Sequence, residues 1–189
     1  MEMVIEAKNK AKDADVALVF VGLTDEYETE GNDRKHINLP ESHNALVDAV
    51  CAVCEKVVVV LSGGCPVTMP WLDKVDAVLN GYLGGQAGAG AMADALVGIV
   101  NPSGKLPFTF PVKLTDTGAH SMGEFGGRGE VVYGEGLLVG YRWNDAKDVA
   151  PLFAFGHGLS YNEGLIIKKP KNTNVTDDFI TISTGDNYS

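Results

Sequence analysis

Two short, uninterrupted runs of β-branched and apolar residues constrain this chain more than any other feature. Val16-Ala17-Leu18-Val19-Phe20-Val21 stops at Gly22, and Val57-Val58-Val59-Val60-Leu61 stops at Ser62-Gly63-Gly64. A strand with one wet face alternates apolar and polar residues, whereas a run without alternation is the mark of a strand buried on both faces of a parallel sheet. Between the runs, Ala45, Leu46, Ala49, Val50 and Val53 recur at helical spacing behind Pro40, which predicts a helix from Glu41 to Cys54. A third strand over Ala77–Leu83, a glycine-rich turn from Gly84 to Gly90 and a helix over Ala91–Val97 repeat the unit. Strands alternating with helices imply right-handed β-α-β crossovers. The expected fold is therefore α/β: a mainly parallel sheet flanked by helices on both faces, a three-layer sandwich.

The remainder is less regular. An exposed helix is expected over residues 1 to 13, and a short helix or turn at Pro70-Trp71-Leu72-Asp73. From Asn101 to Tyr161 Gly, Pro and aromatic residues are dense, and the strand candidates are short: Leu106–Phe110 and Leu137–Tyr141. This part reads as loops and edge strands. Beyond it the Lys, Asn, Thr and Asp content predicts a tail or linker, so the domain is expected to span 1–162 and the tail 163–189. At 189 residues the chain has room for one such domain with a sizeable core.

Charge and motif content remove several function classes. The net charge of −10 repels polyanions, so no nucleic-acid partner is expected. No apolar run approaches the roughly 20 residues of a bilayer span, and Met1-Glu2-Met3-Val4-Ile5-Glu6 lacks a basic stretch followed by an apolar one. Neither a membrane span nor an intact secretory signal is expected, and the compartment stays open. Cys51-Ala52-Val53-Cys54 has redox-pair spacing inside an apolar stretch, with no second Cys or His pair to hold zinc; buried helical cysteines and no metal are expected. Two sequons, at Asn174 and Asn187, fall in the tail.

Gly88-Ala89-Gly90-Ala91-Met92-Ala93 matches a dinucleotide-binding fingerprint, but it follows the third strand and lacks an acid about 20 residues on, so no nucleotide cofactor is expected. Cys65, after the second strand, would need His157 as a base to act as a nucleophile, and nothing in the sequence orders that pair.

Open α/β sheets take ligands outside the carboxyl ends of their strands. The segment after the first strand, Leu23-Thr24-Asp25-Glu26-Tyr27-Glu28-Thr29-Glu30-Gly31-Asn32-Asp33-Arg34, holds five acids within nine residues. Crowded carboxylates raise one another's pKa, and a carboxyl kept protonated near neutrality can serve as a general acid. Tyr27 offers an apolar wall or a platform for a sugar. A solvated acidic surface loop is the alternative, and position alone does not choose the acid.

An ordered set of segments resembles the glycoside hydrolases of family 3, which include β-glucosidases and β-xylosidases, in the α/β domain that follows their catalytic barrel. The set comprises Ala14–Gly22, Glu28-Thr29-Glu30-Gly31-Asn32-Asp33-Arg34 with Leu39-Pro40, Pro70-Trp71-Leu72, Gly84-Gly85-Gln86, Asn101–Pro111, Tyr133-Gly134-Glu135-Gly136 with Gly140-Tyr141-Arg142, and Pro151–Tyr161. The resemblance covers roughly residues 10 to 162. It implies a part of a retaining β-glucosidase-like enzyme acting on terminal β-D-glucosyl or related residues. An aspartate nucleophile would come from the barrel and a glutamate acid/base from the acidic loop, about 5 Å apart. In the Glu-x-Glu-Gly-x-Asp-Arg motif it favours Glu28, with Glu30 close behind. It puts Tyr27 beside the aglycone and makes Asp33 and Arg34 a loop-bracing ion pair. Residues 115–129 and those from Asn162 onwards depart from the family pattern, and the barrel is not in this sequence. The chain is thus expected to be a fragment or one piece of a split enzyme, inactive by itself, with a family 3 barrel and a β-glucoside or oligosaccharide as its partners. A sugar-binding or scaffold domain without catalysis is the alternative.

Overall fold

The computed structural model describes residues 2–31, 33–123 and 129–161, together with the backbone of 179–181. The rest of the expected tail, with both sequons, lies outside the described residues. Elements follow in the order α1 (Glu2–Ala11), β1 (Ala17–Gly22), α2 (Glu41–Cys51), β2 (Val57–Ser62), β3 (Ala77–Asn80), α3 (Gly88–Leu96), α4 (Gly118–Ser121), α5 (Tyr141–Lys147) and β4 (Phe179–Thr181). The sheet has the order β1-β2-β3-β4 and every pairing in it is parallel. Ala17 pairs with Val57 and Gly22 with Ser62, so β1 and β2 end level with each other. That register depends on Gly22, where a Cβ would collide with the Ser62 carbonyl oxygen.

Helices cover both faces. On one, α1 and α2 bring Ala11, Val47 and Val50 onto Val19, Val21, Val57, Val59, Leu61 and Val78. On the other, α3 packs Ala95, Met92 and Leu96 against Val60 and Leu79. The three-layer reading therefore stands, with one correction at its margin. The β1 run was expected to be buried on both faces, yet Leu18 is 47% and Phe20 60% exposed, because α3 spans β2 and β3 and does not reach the outer strand.

Other boundaries shift for local reasons. Helix α2 stops at Cys51 because the chain tightens there: Val53 N–H donates to the Val50 carbonyl three residues back. Cys54 is then buried beyond the helix end, with its thiol donating to the Lys56 carbonyl, and the described cysteines are all free. Strand β3 ends at Asn80, where Tyr82 enters the left-handed region (φ 48°) and donates its N–H to the Asn80 side chain. Gly88 and Gly90 lie inside α3 itself, the turn before it being made by Gly85–Ala87.

The two strand candidates further on are not strands. Phe110 makes a single antiparallel bridge to Phe153, since Pro107 and Pro111 remove ladder donors on either side. Leu137–Tyr141 is a turn feeding α5, with Gly136 and Gly140 both at positive φ. Phe110 and Phe153 close the core beside Trp71, whose indole N–H donates to Asn44 Oδ1.

Candidate functional site

The level ends of β1 and β2 put two loops side by side, and their contents make the site. After β1, Tyr27 and Glu28 both donate their backbone N–H groups to the Thr24 carbonyl, a tight turn that starts the acidic loop. After β2, Ser62-Gly63-Gly64-Cys65 lies across from it. Gly64 donates its backbone N–H to Glu28 Oε1 at 2.7 Å, and the Cys65 thiol donates to the same oxygen at 2.9 Å. Arg34 Nη1 donates to Cys65 Sγ at 2.8 Å and to the Pro66 carbonyl at 3.5 Å.

Together these loops line a cleft of about 390 Å³ whose walls are Tyr27, Glu28, Thr29, Glu30, Asp33, Arg34 and Cys65. All five residues singled out from the sequence thus meet in one place, at the carboxyl ends of parallel strands where such sheets bind ligands. Their environments differ. Glu28 is half-buried and held through Oε1, whereas Glu30 is exposed at the rim. The Tyr27 ring tilts against His36, with centroids 6.3 Å apart.

One expectation fails. Asp33 and Arg34 were expected to brace the loop as an ion pair, but the ion pairs among the described residues are Glu6–Lys10, Asp48–Lys74 and Lys113–Asp116. Arg34 braces the loop instead by crossing to Cys65 and Pro66, which lie within its reach because β1 and β2 are neighbours. Asp33 is exposed.

Sequence reasoning did not pair Gly64 or Cys65 with the acidic loop; the adjacent endings of two expected neighbouring strands were the available signal. Cys65 does not meet His157 as a nucleophile would need. His157 stacks on Phe153 at 5.2 Å between centroids, while the thiol faces Glu28 and Arg34. Burial first, then the hydrogen bond to Glu28, push the Cys65 thiol above its ordinary value, with Arg34 pulling the other way. That is the opposite of an activated thiolate. Among the described residues no group of three or more His, Cys, Asp or Glu side chains could hold a metal, and no helix is long and apolar enough to cross a membrane.

Thermostable beta-glucosidase B of Acetivibrio thermocellus is 56% identical over 163 residues, which are 86% of this chain and 21% of that protein. Probable beta-glucosidase I of Aspergillus flavus is 48% identical over 160 residues, 85% of this chain and 19% of its own length. A crystal structure of beta-glucosidase from Kluyveromyces marxianus in complex with glucose superposes with a TM-score of 0.80 at 40% identity, covering 85% of this chain and 19% of that one. The chain thus spans about a fifth of the length of these relatives. These relatives carry β-glucosidase names, and each is several times longer than this chain. The glycosyl hydrolase family 3 C-terminal domain model matches residues 2–161, and the chain belongs to that family.

Proposed function

We propose that residues 1–162 act as the second domain of a retaining β-glucosidase and supply its general acid/base from the acidic loop, with Glu30 in that role. The observation that carries this reading is the division of labour between the two glutamates of one cleft. Glu28 Oε1 already takes two donors from the loop after β2, while Glu30 is exposed at the rim, where a glycosidic oxygen can reach it. Glu28 then serves as the strut that holds the loop, and Tyr27 serves as a wall for the leaving group.

In the first step, a barrel carboxylate attacks the anomeric carbon while the Glu30 carboxyl gives its proton to the departing oxygen. In the second step, Glu30 takes a proton from water as that water attacks the anomeric carbon and breaks its bond to the barrel carboxylate, which leaves as the free anion. The nucleophile and the sugar-reading pocket belong to the barrel, so the isolated chain turns over no glycoside.

The test replaces the matching 163 residues of the Acetivibrio thermocellus relative with this chain. Glu30→Ala should lower kcat/KM for an alkyl β-glucoside by about 10²–10⁴-fold. It should spare an activated dinitrophenyl β-glucoside far more, and added azide should restore turnover by forming β-glucosyl azide. The same pattern at Glu28→Ala, with Glu30→Ala near normal, would move the role to Glu28. Near-normal activity in both variants would remove the acid/base from this loop, and glucose binding without turnover in the intact hybrid would favour a sugar-binding domain.

A further inference from the structure

The segment that carries Glu30 has little of its own to hold it. Among the described residues its backbone–backbone hydrogen bonds are those of the Thr24 turn, and beyond that turn Gly31 N–H donates to the hydroxyl of Thr29, at 3.4 Å. Its two ends, however, converge on one atom. Glu28 Oε1 accepts from Cys65 Sγ–H, and Arg34 Nη1 donates to the same sulfur, so a single thiol on the neighbouring loop ties down both sides of Glu30. Gly64 makes this possible by letting the carboxylate approach the backbone closely: a Cβ there would stand 3.1 Å from Glu28 Oε1.

We propose that Cys65 is a positioning residue for catalysis, a two-sided clasp that fixes the loop bearing Glu30 at the end of β2. The inference rests on the reading of Glu30 as the acid/base. A general acid must meet the leaving oxygen at hydrogen-bond distance, and displacement of about 1 Å can cost about 10²-fold in rate. A loop fastened at both sides of the acid keeps that distance, and a loop fastened at one side does not. Its loss is felt where proton donation matters and little where the leaving group departs unaided.

In the hybrid enzyme described above, Cys65→Ala should lower kcat/KM for the alkyl β-glucoside by about 10-fold to 100-fold. The dinitrophenyl β-glucoside should change less than about threefold, as expected for a defect confined to proton donation. Cys65→Ser, whose hydroxyl can both give and accept these bonds, should recover most of the loss. A merely structural role predicts equal losses on both substrates with a lower Tm. Equal losses, no loss, or no recovery in Cys65→Ser would each overturn the proposal. Glu30→Ala, run in parallel, separates the two ideas: if it behaves as the acid/base while Cys65→Ala is silent, the clasp alone falls. If Glu30→Ala is near normal, the reading beneath the clasp falls.

Discussion

Glu28 Oε1 lies 2.7 Å from the backbone nitrogen of Gly64, and this hydrogen bond joins the loop after β1 to the loop after β2 across 36 residues of sequence. A backbone donor is the firmest kind available here, because the level strand ends fix where the Gly64 nitrogen sits. The absence of a side chain at Gly64 matters as much as its N–H. A Cβ there would crowd both Glu28 Oε1 and Leu83 Cδ1 at 3.1 Å.

Gly64→Ala should therefore separate stability from activity. The crowded atoms are ends of flexible side chains, and Ala restricts the unfolded chain, so stability should stay within about 1 kcal/mol of the parent. The Glu28 strut would shift, and kcat/KM of the hybrid enzyme for an alkyl β-glucoside should fall. Denaturant unfolding and steady-state kinetics on the same samples check this, and a loss of stability matching the loss of activity would contradict it.

The Cys65 thiol offers a second handle. Burial and the hydrogen bond to Glu28 raise its pKa, so it should alkylate slowly near neutral pH. Glu28→Gln removes the negative charge beside it, lowers that pKa and enlarges the thiolate fraction. Iodoacetamide should then label Cys65 several-fold faster at pH 8, read peptide by peptide so that Cys51 and Cys54 are counted apart. An unchanged or slower rate would show that Glu28 does not govern the thiol.

Tyr82 sets an alkaline limit on the fold. Burial pushes its phenol from an ordinary value near 10 up to about 12. The folded state thus favours the neutral phenol, and this contribution is fully present below about pH 10 and disappears as pH rises through 12. Stability should fall between these values, and less so in Tyr82→Phe. Chemical denaturation across pH 9–12 measures the slope, while the tyrosinate absorbance should lose its last-titrating phenol in the variant.

The outer face of β1 should govern the behaviour of the isolated chain. Leu18 and Phe20 stand 47% and 60% exposed on a strand whose other edge is unpaired among the described residues. Exposed apolar strand edges promote association. Phe20→Thr keeps β propensity while removing most of the apolar surface, so light scattering from the isolated chain should drop with its unfolding midpoint nearly unchanged. In the hybrid enzyme the same change tests whether that face becomes covered: a Tm drop there, absent in the isolated chain, means that it does.

Local pattern carried the layout of the sheet. Val16–Val21 and Val57–Leu61 are legible as strands because β-branched residues without alternation fit few other places, and the helical spacing of Ala45 to Val53 supplies the crossover between them. The acidic loop was likewise visible, since open sheets place ligands beyond their strand ends. Boundaries were less legible: nothing local in Leu137–Tyr141 announces that Gly136 and Gly140 at positive φ turn the chain into a helix.

Which partner each acidic or basic residue of the loop meets was decided only in three dimensions. The family resemblance implied that Arg34 pairs with Asp33, yet the guanidinium reaches Cys65, 31 residues away, because parallel pairing of β1 with β2 brings their following loops together. The same register divides Glu28 from Glu30, setting one carboxylate against the Gly64 backbone and leaving the other exposed. Two glutamates two residues apart read alike in a sequence; a backbone donor that meets only one of them makes them different.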